Sequence, residues 1–402
     1  MVTVDEVRGW SRLTAAVAGR VILPAVSGMH RAITDGAFRW TGPLGHPVRA
    51  IHDQIVRGMY DAAQIAFHAA GDVGASLAER IGEADAEASP AAVKARAVAH
   101  GVLAQELLEG SPELDLEFTL RRSGSVVAPD RTSLQSAYPG ATGSLVVFVH
   151  GLVDSEATWA LAEPGDTSLP TVAETAGSTS LLVRYGTGRA VGRNGADLAR
   201  LLEDVVHHWP VPVERIVVVG HSMGGLVSRA ACQTAQAQDH AWLPLLSDVV
   251  YLGTPHLGSW LEKAANVSGW VLRQVSPQTA PLATLLEQRS QGIKDLRHGT
   301  LVEDVGSVAV ADDLLSGLVP DEPWLDGVTH HLVVGRLRPS AAHPLNAVFG
   351  DLLVRSRSAV GAGSHRRIGE GGPVVVREVD ATHTALARHP AVGSLLSTLA
   401  VP

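Results

Sequence analysis

The sequence has 402 residues, of which 46% are hydrophobic and 18% charged, and its formal net charge is −9. This length and composition are typical of a globular chain with a large core, and the acidic balance argues against a binder of nucleic-acid phosphates. The single cysteine, Cys232, excludes an internal disulfide and fits a reducing compartment. No basic, apolar leader and no run near the ~20 apolar residues of a membrane span is visible, so we expect a soluble, cytoplasmic protein.

The first 112 residues are predicted to form a helical region. Apolar residues recur at steps of three and four from Val48 to Ala69, which indicates one apolar helix face. A second helix is predicted from Ser89 to Leu108, because a cap residue followed by proline opens it. Gly110-Ser111-Pro112 ends this region, and Glu113–Arg122 then alternates apolar and polar residues like a strand with one wet face.

Residues 113–402 are predicted to form an α/β domain, because short valine-rich runs alternate with helix patterns. Continuous apolar strands indicate burial on both faces, as in a parallel sheet covered by helices. The runs are Ser144–Gly151, Ser180–Gly186, Ile216–Ser222, Asp248–Thr254, His331–Leu337 and Val374–Val379. A helix is predicted to begin at Asn194-Gly195. Residues 259–328 lack the strand rhythm and are predicted to be a helical cap insertion.

The stretch IVVVGHSMGGLVSRA, residues 216–230, carries the strongest chemical pattern. A strand that turns abruptly into a helix puts the serine at the tip and crowds the residues two before and two after it, where only glycine fits. We therefore predict that Ser222 is a nucleophile above the carboxyl ends of the strands, with Gly220 and Gly224 as the elbow glycines.

A nucleophilic serine needs a base, and position selects it among eighteen histidines. His383 follows the last predicted strand, in the chain order expected of such a site, and is predicted to be the base. His389 precedes a proline and is interpreted as a surface residue. His221, next to the serine, is interpreted as a packing residue.

The acid is expected after the strand before last. Asp351 opens an apolar stretch there and completes the order Ser222, Asp351, His383. Asp380 is the alternative acid; its other interpretation is that it shapes the histidine loop.

Two backbone N–H groups are predicted to form an oxyanion hole. Met223 opens the helix after the serine, and Leu152 follows the His-Gly pair in FVHGL at the end of a strand. No metal site is predicted, because the members of the pairs His207-His208 and His330-His331 point in different directions. We expect no cofactor.

Taken together, these motifs resemble the α/β-hydrolase superfamily in its lipase and carboxylesterase branch. The resemblance rests on VFVHGL, VVVGHSMGGLVSRA, YLGTPHLGS, GDLLVRSRSAVG and DATHTALARHPAV. LGTPHLGS looks like the exit from the strand after the elbow in lipases and in deacylases of glycolipid anchors. The resemblance implies a mostly parallel sheet, a cap after that motif, and acyl transfer to water through Ser222, Asp351 and His383. The first 110 residues lie outside it.

Several functions stay open at this point. The same residues would serve a carboxylester hydrolase, a thioesterase, an acyltransferase or a glycolipid deacylase, acting on a small-molecule or lipid ester. A different class is a membrane-surface or binding module on a hydrolase core, with the Val48–Ala69 face in peripheral contact with lipid. That helix carries acids as well as bases and becomes rich in alanine, which favours packing against protein instead.

Overall fold

The computed structural model describes residues 4–24, 116–161, 167–256, 323–336 and 371–401, together with scattered helical residues between 27 and 101. The chain divides into two compact units. One comprises Met1–Ala92, Val102–Asp115 and Lys263–Ser290, and the other comprises Val93–Gly101, Leu116–Glu262 and Gln291–Pro402. The predicted boundary at residue 112 and residues 259–322 of the predicted cap lie outside the described residues.

The described residues of the first unit are helical. α1 spans Val4–Val17 and continues as a π-helical turn over Ala18–Ile22. Within the predicted Val48–Ala69 helix, the residues that the structure describes are helical, and Arg49 pairs with Asp53 one turn later at 3.5 Å. An exposed pair of this spacing stabilises a helix by only about 0.3–0.5 kcal/mol, and its position fits the polar face of the predicted stripe.

The second unit is built on an eight-stranded sheet. Its strands are β1 (Thr119–Arg122), β2 (Ser125–Val127), β3 (Ser144–Val149), β4 (Thr179–Arg184), β5 (Arg215–His221), β6 (Leu246–Leu252), β7 (Thr329–Gly335) and β8 (Val374–Val379). They lie in the order β2-β1-β4-β3-β5-β6-β7-β8, antiparallel at β2–β1 and β1–β4 and parallel at every other pair. The mostly parallel sheet predicted from the valine-rich runs is confirmed.

Helices cover both faces of this sheet. They are α2 (Arg131–Ala137), α3 (Leu169–Thr175), α4 (Val191–His208), α5 (Met223–Ala237) and α6 (Pro390–Leu399). Successive side chains of a strand point to opposite faces, so each central strand feeds two cores. Val147 and Val218 pack with α4 and α5, whereas Val146 and Val217 pack with α3 and α6.

The first edge of the sheet differs from its prediction. The predicted strand Glu113–Arg122 begins only at Thr119, and β2, which was not predicted, follows it. Ser123 and Gly124 join the two strands with φ values of 50° and 86°. Two successive positive φ values make the hairpin turn whose twist matches the strands. The sequence therefore continues into an antiparallel hairpin where one strand was predicted.

The start of α4 also differs from its prediction. The helix begins at Val191, so Asn194-Gly195 lies inside it and is not its cap. Asn194 is fully buried, and its side-chain amide donates to the Gly186 carbonyl at 3.1 Å. A side chain on Gly195 would overlap Ala230 of α5. These two residues therefore attach α4 to its neighbours, which explains why polar and glycine residues occur there.

The prediction that the valine-rich strands are buried on both faces is wrong for β8. Val374 and Val376 on one face are 40% and 48% exposed, and Val375 on the other is 36% exposed. β8 is the last strand in the sheet order and pairs only through β7 in the described residues. An apolar run does not distinguish an edge strand from a central one, which is why the prediction failed here.

An ionic cluster ties the amino ends of three strands together. The Asp248 carboxylate on β6 accepts from Arg215 of β5 and from His331 Nε2 of β7, each at 2.8 Å. Arg215 also donates to Ser247 Oγ at 2.7 Å and to the Val401 carbonyl at 2.9 Å. Burial raises the pKa of Asp248, but the hydrogen bonds from His331, Arg215 and Ser247 more than offset it and hold the pKa at about 2.

Replacing Asp248 by asparagine is expected to lower the free energy of unfolding at neutral pH by about 2 kcal/mol, because a depressed carboxyl pKa is a stabilising contribution. The pKa of Asp248 is lower in the folded chain than its usual 3.8, so this contribution is complete above pH 4 and is lost as the pH falls towards 2. Urea unfolding at pH 7 and pH 3 measures it. A difference between the two proteins that stays constant over this range would contradict the assignment.

Candidate active site

Ser222 lies at the turn between β5 and α5. The strand ends at His221, the helix begins at Met223, and Ser222 between them has φ 54° and ψ −120°. A residue with a side chain in such a conformation costs on the order of 1–3 kcal/mol and persists only where its surroundings hold it. The Ser222 N–H donates to the Leu252 carbonyl at 2.8 Å, and its carbonyl accepts from Gly225 at 3.1 Å. The half-buried serine is thereby fixed where the carboxyl ends of β5 and β6 meet.

The glycines around Ser222 are required by close backbone contacts. A Cβ on Gly220 would lie 2.6 Å from Gly225 Cα, so the strand end and the first helical turn touch. A Cβ on Gly224 would overlap the Val149 carbonyl oxygen and lie 2.5 Å from that of His150. The two elbow glycines were predicted to be pressed against each other, and a Cβ on Gly220 would indeed lie 2.8 Å from the Gly224 carbonyl carbon. The contact of Gly224 with the end of β3 was not predicted.

His383 lies beside the residue that precedes the serine. It begins a short 3-10 helix, His383–Arg388, and is 5% exposed, so it is not a solvated loop residue. His221 packs its ring against the His383 ring, with centroids 5.0 Å apart, and His221 Nε2 donates to the His383 carbonyl at 3.0 Å. A Cβ on Gly151 would lie 3.1 Å from Ser222 Cβ and 3.2 Å from His221 Nδ1. The β3 loop, the elbow and the His383 segment therefore meet.

The interpretation of His221 as a packing residue is incomplete, because its hydrogen bond also fixes the backbone of His383. With His383 as the predicted base, replacing His221 by alanine is expected to lower kcat about 10- to 100-fold with little change in KM, since a small misplacement of a reacting group has effects of this size. Steady-state hydrolysis of an ester measures it. His208→Ala, an exposed change at the end of α4, is the control. Parental kcat in His221→Ala would contradict this positioning role.

The two candidate acids have different outcomes. Asp351 lies outside the described residues, and its role stays a prediction. Asp380 is exposed, and its carboxylate pairs with Arg336 at 3.3 Å. Arg336 also donates to Glu378 at 3.0 Å, and its N–H donates to the Val379 carbonyl at 2.9 Å. These contacts favour the interpretation in which Asp380 shapes the loop before His383.

His389, which was interpreted as a surface residue, has a local structural role. Its ring nitrogen Nδ1 accepts a hydrogen bond from the Ala391 N–H at 3.2 Å and so caps α6.

The loop after β3 is held by a buried histidine that the sequence reasoning missed. His150 Nδ1 donates to the Gly151 carbonyl at 3.0 Å, and His150 Nε2 accepts from the Tyr185 N–H at 3.4 Å. The Tyr185 hydroxyl donates to the His150 carbonyl at 2.6 Å. Burial lowers the pKa of His150, so the ring is neutral, as one donor and one acceptor require.

This arrangement also orients the next peptide. The Gly151 carbonyl and the Leu152 N–H belong to one planar, trans peptide, so a carbonyl held by His150 directs the N–H to the opposite side. The following N–H, of Val153, donates to Thr187 Oγ1 at 3.2 Å and is therefore engaged. Leu152 and Met223, the first residue of α5, carry the two N–H groups predicted for the oxyanion hole. Tyr185 and Thr187 lie one and three residues after the end of β4. Their position after a buried strand was the one sequence signal that placed them near the loop after β3.

His256, in the LGTPHLGS motif, is fully buried and packs edge-on against Tyr251 and Trp324, with ring centroids 4.8 and 5.1 Å away. Burial holds the pKa of His256 well below its usual value, so this ring is neutral. These contacts give His256 a packing role on the α5 side of the sheet.

Two kinds of feature do not occur within the described ranges. No group of three or more His, Cys, Asp or Glu side chains there could hold a metal ion. No helix in the same ranges is long and apolar enough to cross a membrane.

A cavity of about 490 Å³ lies at the far end of α5 and is lined partly by Asp239, His240 and Leu243. The length of the helix separates this cavity from Ser222.

Part of the chain, which includes the turn at Ser222, matches a known protein family. Residues 141–300 match the model of a family described as "Putative serine esterase (DUF676)". The chain has the α/β-hydrolase fold. The resemblance to serine esterases is confirmed over these residues, and the elbow and the match together support a serine hydrolase. A search of curated proteins finds no match.

Among solved structures, the chain is similar to the lipase BlEst2 of Bacillus licheniformis. The propeptide form is 21% identical over 63% of this chain and 50% of that chain, with a TM-score of 0.41. The mature form is 19% identical over 63% of this chain and 91% of that one, with a TM-score of 0.39. The thioesterase RedJ of the prodiginine pathway in Streptomyces coelicolor is 14% identical over 65% and 87%, with a TM-score of 0.35. The chain thus spans half the length of the propeptide form.

Proposed function

We propose that the protein is a serine carboxylester hydrolase that cleaves acyl esters through an acyl-enzyme intermediate. The observation that carries the proposal is the backbone of Ser222, held at φ 54° between β5 and α5 with the His383 segment attached to the neighbouring His221. A strained strand-to-helix turn that exposes a serine hydroxyl has a chemical use only if the hydroxyl must approach a substrate.

The reaction follows from the roles proposed for these residues. His383 takes the proton of Ser222 Oγ as the oxygen attacks the ester carbonyl, and Asp351 orients and stabilises the protonated imidazole. The N–H groups of Leu152 and Met223 stabilise the negative oxygen of the tetrahedral intermediate. The alcohol leaves with the proton from His383. Water, deprotonated by His383, then releases the carboxylic acid and restores the serine. No cofactor is needed.

The proposal is tested with p-nitrophenyl esters of two to twelve carbons and the purified full chain. Hydrolysis of at least one of them above the uncatalysed rate, in the presence of a metal chelator, is expected, because the proposed chemistry needs no metal. Absence of turnover on the whole series would contradict the ester hydrolase.

The alternatives that share the same residues are separated by the leaving group and the acceptor. An acyl thioester with a thiol-detecting dye reports a thioesterase, and an added alcohol that captures the acyl group reports an acyltransferase. A lipid ester in vesicles, compared with the same ester in solution, reports a deacylase at a membrane surface. A rate on thioester or alcohol acceptor well above that on esters in water would replace the proposed reaction by that alternative.

A further inference from the structure

We propose that three residues outside the proposed triad, His100, Gly101 and Thr187, form a brace that fixes the loop carrying Leu152, and that they are positioning residues for the oxyanion hole. This inference rests on the proposed function. His100 and Gly101 are helical residues that precede the first strand, and they belong to the same compact unit as the sheet.

The loop needs an external support because its backbone is strained. Val153 has φ 54°. For a β-branched residue this conformation is a genuine outlier, since its Cβ crowds the backbone, and it persists only where the surrounding structure enforces it. Val153 directly follows Leu152, so a relaxation of its φ turns the Leu152–Val153 peptide and acts on the Leu152 N–H through one intervening residue.

Thr187 supplies the first support. Its hydroxyl oxygen accepts from the Val153 N–H at 3.2 Å, and the threonine is 1% exposed. Buried N–H groups are costly to leave without an acceptor, so this hydrogen bond penalises rotation of Val153. The bond joins the loop after β3 to the loop after β4.

Gly101 supplies the second support by close contact. A Cβ built on Gly101 would lie 2.5 Å from Val153 Cγ1, 3.1 Å from the Val153 nitrogen and 3.0 Å from Thr187 Oγ1. Real side chains do not approach so closely, and valine is stiff about χ1, so it cannot turn aside. The helical backbone at Gly101 therefore rests directly on the strained residue and on its hydrogen-bond acceptor.

His100 supplies the third support. It is fully buried, and its Nδ1 lies 3.3 Å from the position of a Cβ on Gly186, the residue before Thr187. Ala97, one helical turn earlier, is 1% exposed. This helical segment is thus packed against the Gly186-Thr187 backbone, and it belongs to the same compact unit as the sheet.

The consequence is a dependence of turnover, rather than of substrate binding, on these residues. An oxyanion donor acts on the negative oxygen that forms in the transition state, and loss of one donor lowers kcat about 100- to 1,000-fold. A displaced donor retains part of this effect. Gly101→Ala and Thr187→Val are each expected to lower kcat about 10- to 100-fold, with KM changed less than about threefold.

The experiment measures kcat, KM and Tm of the full chain for Gly101→Ala, Thr187→Val and Thr187→Ser, which retains the acceptor oxygen. Gly140→Ala is the matched control, because a Cβ there would meet nothing within 4 Å. The double change Gly101→Ala with Val153→Ala removes the methyl group that the new Cβ would strike. The proposal expects near-parental kcat in Thr187→Ser and partial recovery in the double variant. Parental kcat in both Gly101→Ala and Thr187→Val would overturn it, as would equal losses in Gly140→Ala.

Hydrogen exchange of the amides of residues 150–155 in the same variants keeps the two proposals separate. If the parental chain neither turns over an ester nor reacts at Ser222 with a fluorophosphonate, the proposed function fails, and the brace is then judged by exchange alone. Faster exchange of the Val153 amide in Gly101→Ala and Thr187→Val supports the brace, and unchanged exchange overturns it. If Gly101→Ala does not fold, the comparison of Thr187→Val with Thr187→Ser carries the test under the same readout. If Thr187→Val does not fold, the comparison of Gly101→Ala with Gly140→Ala carries it.

Discussion

Ser222→Ala is expected to lower kcat/KM for p-nitrophenyl butyrate by about 10⁴-fold or more while the chain stays folded, because removal of a catalytic nucleophile has effects of this order. Alanine keeps the Cβ and deletes the hydroxyl. The backbone bonds of Ser222 to Leu252 and Gly225 do not involve the side chain, so the elbow is expected to keep its shape.

The control for this change is Ser394→Ala on the exposed side of α6, which removes a hydroxyl that bonds only to the Pro390 carbonyl of its own helix in the described residues. It is expected to retain parental activity. Near-parental turnover in Ser222→Ala, with far-ultraviolet circular dichroism and Tm unchanged, would contradict the nucleophile assignment.

Gly224→Ala is expected to lower the free energy of unfolding by about 3 kcal/mol or more, which is more than the loss expected for Asp248→Asn. The added methyl group overlaps the main chain of β3, and neither backbone segment can move freely. In an exposed helix the same change would stabilise by about 1 kcal/mol, so the sign of the effect separates the contact from helix propensity. The Val149 and His150 carbonyls that it meets precede the loop carrying Leu152. Activity is therefore expected to fall together with stability.

Urea unfolding at neutral pH measures the effect, with Gly140→Ala as the glycine whose Cβ would meet nothing. A Gly224→Ala protein as stable as the parent would show that the elbow does not need glycine on its helical side. It would remove the physical reason given for the glycine spacing around Ser222.

Periodicity predicted the central sheet because its buried strands are short, continuous apolar runs. The predictions that were wrong concern features that depend on packing contacts and on position in the sheet. Asn194 and Gly195 look like a helix start in isolation, yet one bonds to Gly186 and the other contacts Ala230. The valines of β8 look like a central strand because composition carries no information on which strand lies last in the sheet order.

Chain order led to the predictions for Ser222 and His383. The structure brings the His383 segment against His221, next to Ser222, and the catalytic roles stay predictions. The supports of the loop after β3 were harder to predict, because Thr187 and Gly101 contact Val153 from distant positions in the chain. The position of Thr187 just after β4 was a weak signal, and Gly101 carries no pattern that indicates the contact. His150 could have been suspected, since a histidine at a buried strand end needs partners for two ring nitrogens. Asp351 stays a prediction, and replacement by alanine would test it against Asp380→Ala.

The most direct test of the central claim is labelling of the full chain with a fluorophosphonate, followed by mass measurement of the peptide that contains residue 222. A covalent adduct on Ser222 at a stoichiometry near one is expected, absent in Ser222→Ala and formed much more slowly in His383→Ala, because the reagent reacts with an activated serine that has a base beside it. An unlabelled parental protein, or equal labelling of the parent and Ser222→Ala, would contradict the account.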